Sequence, residues 1–382
     1  MDLKGKVCVV GAAESDLGKV AENTSHLDLI GQAAIRALDD AGLTLQDVDG
    51  VFAATSQSRM VGLGTCEYLG IKPNFIDSTQ IGGSSFMSHV SHAVAAITTG
   101  KCKVALIVYG STQRSMSRAA TSQRELAWYE DPFKPMMPPS AYAMSAARHM
   151  HEFGTTREQL AEIAVAARKW AMMNPVAYSR DPLTIDDVLN SPMISYPFTI
   201  RDCCLVTDGG GAIVLTSADQ AKDLKQPPVF VLGTGEQIGH ANISSMDDMT
   251  TTAAVDSGKK AFEAAGISKA DIDVLALYDA FTITTLLFLE DLGFCKKGEG
   301  GSFVEDGRIA PGGELPVNTS GGGLSYCHPG MYGLFCLIEA TRQVRGQCGE
   351  RQVKDVNVAL AHGNGGVLSS QCTVVLGNTS TV

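Results

Sequence analysis

Two histidines, one tyrosine and three glycine-rich loops are the parts of this chain whose residue types and spacing suit chemistry. His328 follows Asn318-Thr-Ser-Gly-Gly-Gly323 and precedes Pro329, His362 opens His-Gly-Asn-Gly-Gly366, and Tyr278 begins Tyr-Asp-Ala-Phe281. Imidazole is suited to moving protons near neutral pH, and a phenol can donate a hydrogen bond or a proton. Glycine lets backbone N–H groups approach a ligand closely, so the loop Gly82-Gly-Ser-Ser85 and the pair Gly365-Gly366 can present donors. The N–H groups of Ser84, Ser85, Gly365 and Gly366 are candidates for an oxyanion hole, in which one donor is typically worth about 10²- to 10³-fold in rate. Proton transfer beside a stabilised oxyanion is what making or breaking a carbon–carbon bond next to a carbonyl requires. Acyl transfer needs a nucleophile as well; Cys327, which adjoins His328, is one candidate, and Ser85 is a further candidate catalytic hydroxyl.

Other chemistries find less support. The ten cysteines include no Cys-x-x-Cys pair and no Cys/His zinc spacing, so most of them read as buried thiols and no metal site is expected. Cys203 and Cys204 fall in this class, and His89 and His92 read as packing or surface residues of the helix after Gly82. No Gly-x-Gly-x-x-Gly follows the first strand, which argues against a nicotinamide enzyme. A net charge of -11 disfavours nucleic acid as a partner. An anionic ligand would need a local basic patch, and Arg114, Arg118, Arg124, Arg148 and Lys169 concentrate positive charge in one stretch. The first apolar run is too short for a signal peptide or a membrane span, so a cytoplasmic protein without a membrane partner is expected.

The elements that must hold these residues come in two similar sets. ALDDAGLTLQDVDGV at residues 37 to 51 returns without a gap as AFEAAGISKADIDVL at 261 to 275, matching Gly42 with Gly266 and Asp49 with Asp273. The strands before them pair likewise, placing Gly11 against Gly233. Short β-branched runs alternate with helical patterns that end in Ala-Gly, which predicts βαβ units and parallel strands covered on both faces. The stretch between Val108 and Gly211 has no counterpart and reads as an insertion. The expected domains are 1–114 with 201–225, an inserted loop subdomain at 115–200, and 226–382. Helices after the two glycine loops are expected to begin near Gly83 and Ser325.

These motifs resemble the thiolase superfamily. NTSGGGLSYCHPGMYG is similar to the thiolase loop that carries a catalytic histidine, here His328; HGNGG resembles the C-terminal loop of sterol-carrier-protein-like thiolases, with His362; and YDAF stands at the family's Asn-Glu-Ala-Phe or His-Asp-Cys-Phe motif. The resemblance implies an α/β fold of two mixed five-stranded sheets in an αβαβα arrangement, and an enzyme acting on CoA thioesters. Counting back from Ile97 and Gly100 places the family's nucleophilic cysteine at Gly83, so the usual nucleophile is missing, as in the lipid-transfer-protein-type group.

The implied activity is that of a 3-oxoacyl-CoA thiolase or acetyl-CoA acetyltransferase. A retro-aldol lyase on a 3-hydroxyacyl-CoA is the alternative, because thiolase-like aldolases of steroid side chains resemble this chain at Tyr278, although they tend to carry tyrosine where His328 stands. A catalytically silent scaffold subunit is the third reading. CoA is expected as part of the substrate, held by Arg114, Arg118, Arg148 and Lys169, with no cofactor bound by the chain. The resemblance further implies a homodimer, meeting around Cys102 to Tyr109 and Gly83, and a small OB-fold and zinc-ribbon partner.

Overall fold

A computed structural model of the chain describes residues 3–116 and 126–382. The first half runs β1 (Val7–Glu14), α1 (His26–Ala41), β2 (Gly50–Ala53), α2 (Val61–Leu69), β3 (Phe75–Asp77), α3 (Ser85–Thr98) and β4 (Val104–Ser111). Then come α4 (Pro139–Phe153), α5 (Arg157–Met172), α6 (Ile185–Leu189) and the hairpin β5 (Met193–Ser195) and β6 (Phe198–Thr199), before β7 (Gly209–Ser217) and α7 (Ala218–Ala221) complete that half. The second half is β8 (Val229–Ile238), α8 (Ala254–Ala265), β9 (Val274–Leu277), α9 (Thr282–Asp291), α10 (Gly300–Phe303), α11 (Gly333–Arg345), β10 (Val358–Gly365) and β11 (Ser370–Gly377).

The repeat has a physical basis in both halves. Gly42 and Gly266 end α1 and α8 at φ 75° and 63°, the left-handed conformation that glycine adopts without a Cβ penalty. Asp49 and Asp273 each accept two backbone N–H groups, from Lys103 and Val104 and from Asn357 and Val358, which tie β2 to β4 and β9 to β10. At Gly11 a Cβ would lie 2.1 Å from the Ala37 carbonyl oxygen, and at Gly233 2.3 Å from that of Ala261. Both glycines therefore let a helix press directly onto its strand.

The sheets differ from expectation in two ways. Among the described residues the strands form one continuous nine-stranded sheet in the order β3-β2-β4-β7-β1-β8-β11-β10-β9, not two separate five-stranded ones. β1 and β8 join the halves through antiparallel pairing of Cys8 with Phe230 and Val9 with Val229, so neither presents an unpaired apolar edge. The second half has four strands, because a single parallel bridge between Leu275 and Val317 stands where a fifth would run. Pro316, just before it, has no N–H to extend a ladder.

The layering is αβαβα all the same. α3 and α11 each pack against strands of both halves, while α1 covers β1, β4 and β7 from one side and α8 covers β8 and β11 from the other. The second central helix begins at Gly333, not near Ser325; residues Gly322–Tyr326 form a π-turn and Cys327 is extended. A Cβ on Gly333 would lie 2.1 Å from the Gly83 carbonyl oxygen, so the starts of the two central helices meet closely. The strand expected at a dimer contact, β4, is interior, paired to both β2 and β7. β4 therefore offers no free edge for strand pairing with a second copy.

Candidate active site

Tyr278 leaves the end of β9 held on each side. Its N–H donates to the His362 carbonyl at 3.0 Å, and its carbonyl accepts from the Thr284 hydroxyl. The preceding Leu277 N–H donates to Asn318 Oδ1 at 2.7 Å, so the loop Asn318 to Gly323 is anchored to the same strand end. His328 is fixed by Thr207, whose hydroxyl accepts from the His328 N–H and whose N–H donates to the His328 carbonyl. Tyr109 holds the next turn, donating to the Pro329 carbonyl and accepting from the Met331 N–H. Through these anchors the Tyr278 hydroxyl meets His328 Nε2 at 3.0 Å.

The ring of Tyr278 fills the space where the family's nucleophile would stand. A Cβ built on Gly83 would lie 2.1 Å from Tyr278 Cε2 and 2.8 Å from the Asn364 carbonyl oxygen. A cysteine side chain at 83 and a tyrosine at 278 therefore exclude each other.

Burial sets the protonation of the pair. It pushes the Tyr278 phenol well above its ordinary range and pulls His328 down to about 4, so both are neutral at pH 7. His328 Nδ1 is buried and has no hydrogen-bond partner among the described residues. Asp279, the next residue after Tyr278, accepts from the Gly323 N–H at 2.5 Å and from the Leu324 N–H at 3.3 Å. Burial nevertheless raises its carboxyl to about 7.

The other expected site residues have different surroundings. His362 is fully buried, with Nδ1 on the Thr373 hydroxyl at 2.9 Å and Nε2 on Gln371 Oε1 at 3.0 Å, so both ring nitrogens are occupied within the second half's sheet. The Ser85 hydroxyl donates to the Gly82 carbonyl at 2.6 Å and accepts from the Ile81 N–H, and its own N–H donates to Gly82. That leaves Ser85 neither a free hydroxyl nor a free oxyanion donor: it caps its own turn.

The Ser84 hydroxyl links the two loops through Ile81 and Ser370. Gly365 and Gly366 lie against Gly82, where a Cβ would stand 2.6 Å from the Gly366 nitrogen. Cys327 is wholly buried, and burial drives its thiol well above the ordinary range, which opposes a thiolate nucleophile.

The expected basic patch is dispersed. Arg114 donates to the Val206 carbonyl and lies over the Tyr178 ring, Arg148 pairs with Glu152 on α4, and Lys169 is exposed on α5. Arg118 and Arg124 lie outside the described residues. Asn318, Asp279, Thr207 and Tyr109, which hold the dyad in place, are not singled out as site residues by the sequence. Asn318 and Asp279 do lie within the motifs that drew attention; Thr207 and Tyr109 sit in ordinary strand and loop contexts and give no such signal.

The thiolase N-terminal domain model matches residues 7–181 and the thiolase C-terminal domain-like model matches 235–378. The chain belongs to the thiolase family. It is 33% identical to an acetyl-CoA acetyltransferase of Methanothermobacter thermautotrophicus, over 94% of this chain and 96% of that protein. It is 36% identical to the 17-hydroxy-3-oxo-4-pregnene-20-carboxyl-CoA lyase of Mycobacterium tuberculosis, over 90% of this chain and 92% of that one. Among solved structures it is similar to the Ltp2-ChsH2(DUF35) aldolase, with a TM-score of 0.90 at 32% identity and 98% of each chain covered.

Proposed function

We propose that this enzyme breaks or forms a carbon–carbon bond next to a CoA thioester without an acyl-enzyme, by retro-aldol cleavage of a 3-hydroxyacyl-CoA. The observation that carries this reading is the Tyr278 ring over Gly83: the nucleophile's volume is taken by a phenol bonded to a neutral imidazole. In the cleavage, the bond between the α- and β-carbons breaks, and its electron pair passes onto the thioester as an enolate. The β-hydroxyl loses its proton and becomes a carbonyl. Tyr278 can accept that proton while passing its own to His328 Nε2; the imidazolium, held near pKa 4, then gives the Nε2 proton back to Tyr278 as the phenol delivers its own proton to the enolate carbon. Protons balance, and the dyad ends as it began. Donors on the thioester oxygen would come from His328 Nδ1 and from loop N–H groups at Ser84, Gly365 and Gly366.

CoA would lie against the segment between β4 and β7; since Arg114 and Arg148 already have partners within the protein, Lys169 is the described cation of the expected set that is proposed for its phosphates. A homodimer and a small OB-fold and zinc-ribbon subunit are the proposed assembly, a reading supported by the likeness to an aldolase solved with a DUF35 partner. Acyl transfer of the acetyltransferase kind is the second reading, favoured by the 33% identity to such an enzyme. It needs a relocated nucleophile.

Intact-mass measurement after incubation with a panel of 3-oxoacyl- and 3-hydroxyacyl-CoA esters separates the two. The lyase reading expects an unchanged mass and release of a ketone or aldehyde from the hydroxy esters. A stable acyl adduct on Cys327 overturns it.

A further inference from the structure

A cavity of about 440 Å³ lies on the side of α4 turned away from the Tyr278 and His328 pair. Ser140, Met144 and Ala147 line it, three and four residues apart on one face of the helix. Tyr142 stands on the opposite face, where its hydroxyl donates to the Gly366 carbonyl and accepts from Asn364 Nδ2, and its ring packs on Phe281. The helix thus separates this cavity from the candidate active site. Phe133, Met137, Tyr196 and Ile243 complete a largely apolar wall, and the volume falls in the range of small-molecule sites, roughly 300–1,000 Å³.

One charged group breaks the apolar lining. Glu130 is only 8% exposed; its Oε1 accepts from the Ser244 hydroxyl at 2.7 Å, while Oε2 has no hydrogen-bond partner among the described residues. A buried carboxylate oxygen is unfavourable in an apolar surround unless it accepts a hydrogen bond, so Oε2 is suited to accept one from a ligand's donor. At the rim, Phe133 and Tyr196 are 83% and 66% exposed, which leaves apolar surface for an occupant to cover.

We infer that this cavity is a second binding site, for a small amphiphile whose apolar body fills the pocket and whose single hydrogen-bond-donating head, a hydroxyl or an ammonium, seats on Glu130. The site is separate from acyl-CoA turnover.

Calorimetric titration of the full chain with 1-decanol, decylamine and decanoate, each below its aggregation concentration, tests this. Decanol or decylamine should bind at least about tenfold more tightly than decanoate, whose anionic head meets the Glu130 carboxylate. Tighter binding of decylamine assigns a cationic head, and tighter binding of decanol a neutral one. Glu130→Gln should erase the discrimination against decanoate, and Met144→Trp should fill the pocket and abolish binding of all three. Equal binding of the three heads, or unchanged selectivity in the Glu130→Gln protein, overturns the assignment. Displacement of the bound probe by saturating butyryl-CoA would make the cavity part of the acyl site and overturn it equally.

Discussion

At the scale of single residues the chemistry rests on one exchange of space. Tyr278 occupies what a side chain at position 83 would need, so the absent cysteine and the present phenol are a single structural fact. The sequence made the gap at Gly83 and both dyad members visible, but not their contact, because Tyr278 and His328 lie in separate loops and only the folded strand ends bring them to 3.0 Å. The sequence also drew attention to His362, Ser85 and Cys327, whose polar atoms the fold either pairs internally or buries. Tyr278→Phe keeps the ring and removes the acid and base; turnover should fall by about 10²-fold or more with little change in KM, and His328→Ala should act similarly. A rate within twofold of the parent for either variant would place the chemistry elsewhere. Gly83→Cys should not create a thiolase, since the new side chain meets the Tyr278 ring; urea unfolding should show a loss of about 1–3 kcal/mol from overpacking.

At the scale of elements, the question is how the π-turn Gly322–Tyr326 keeps His328 in reach. Asp279 answers it by accepting two N–H groups of that turn from the residue next to Tyr278, so one carboxylate couples both members of the dyad. Its approach also explains the glycines: a Cβ on Gly322 would lie 2.0 Å from Asp279 Oδ2, and φ there is 63°. The Gly-rich pattern was legible in the sequence. Its cause was not, since a glycine run reads alike whether a ligand or a neighbouring carboxylate demands it.

With its carboxyl raised to about 7, Asp279 protonates as the pH falls through neutrality, and an O–H then faces one of the two N–H groups. Turnover should therefore fall on the acid side of about pH 7, and Asp279→Asn should be slow at every pH and lack that limb.

The stability effect has the opposite sense. A carboxyl whose folded value lies above its ordinary 3.8 favours the folded state fully at low pH, and that contribution is lost as the pH rises through about 7. Urea unfolding from pH 4 to 8 should thus show the parent losing stability relative to Asp279→Asn. Parallel curves would mean that Asp279 does not titrate in this range.

At the scale of the whole molecule the sheet has two outer edges that are treated differently. The edge beyond β9 is covered by the bridge from Leu275 to Val317 and by hydrogen bonds from Leu275 to Pro316 and from Asn318 to Leu275. Among the described residues no strand pairs with the outer edge of β3, and Ile76 on that strand is 41% exposed. Beside it on α2 and its approach, Met60 and Leu63 are 68% and 61% exposed, an apolar cluster of the kind that marks an interface. The duplicated strands could be read from the repeat, but which strand would end the sheet could not. Strand order depends on crossovers between the halves, and the repeat says nothing about them.

An unpaired edge flanked by apolar side chains is a template for a second strand, and a second copy of β3 would meet it with the same surface across a twofold axis. The expected particle is therefore a dimer of twice the 40.3 kDa chain, joined along β3 and α2 and not along β4. Ile76→Lys with Leu63→Lys places charges on that surface without touching the dyad, and light scattering at micromolar concentration should then give the single-chain mass. A dimer that persists in this variant, with the fold intact by circular dichroism, would show that the copies meet elsewhere.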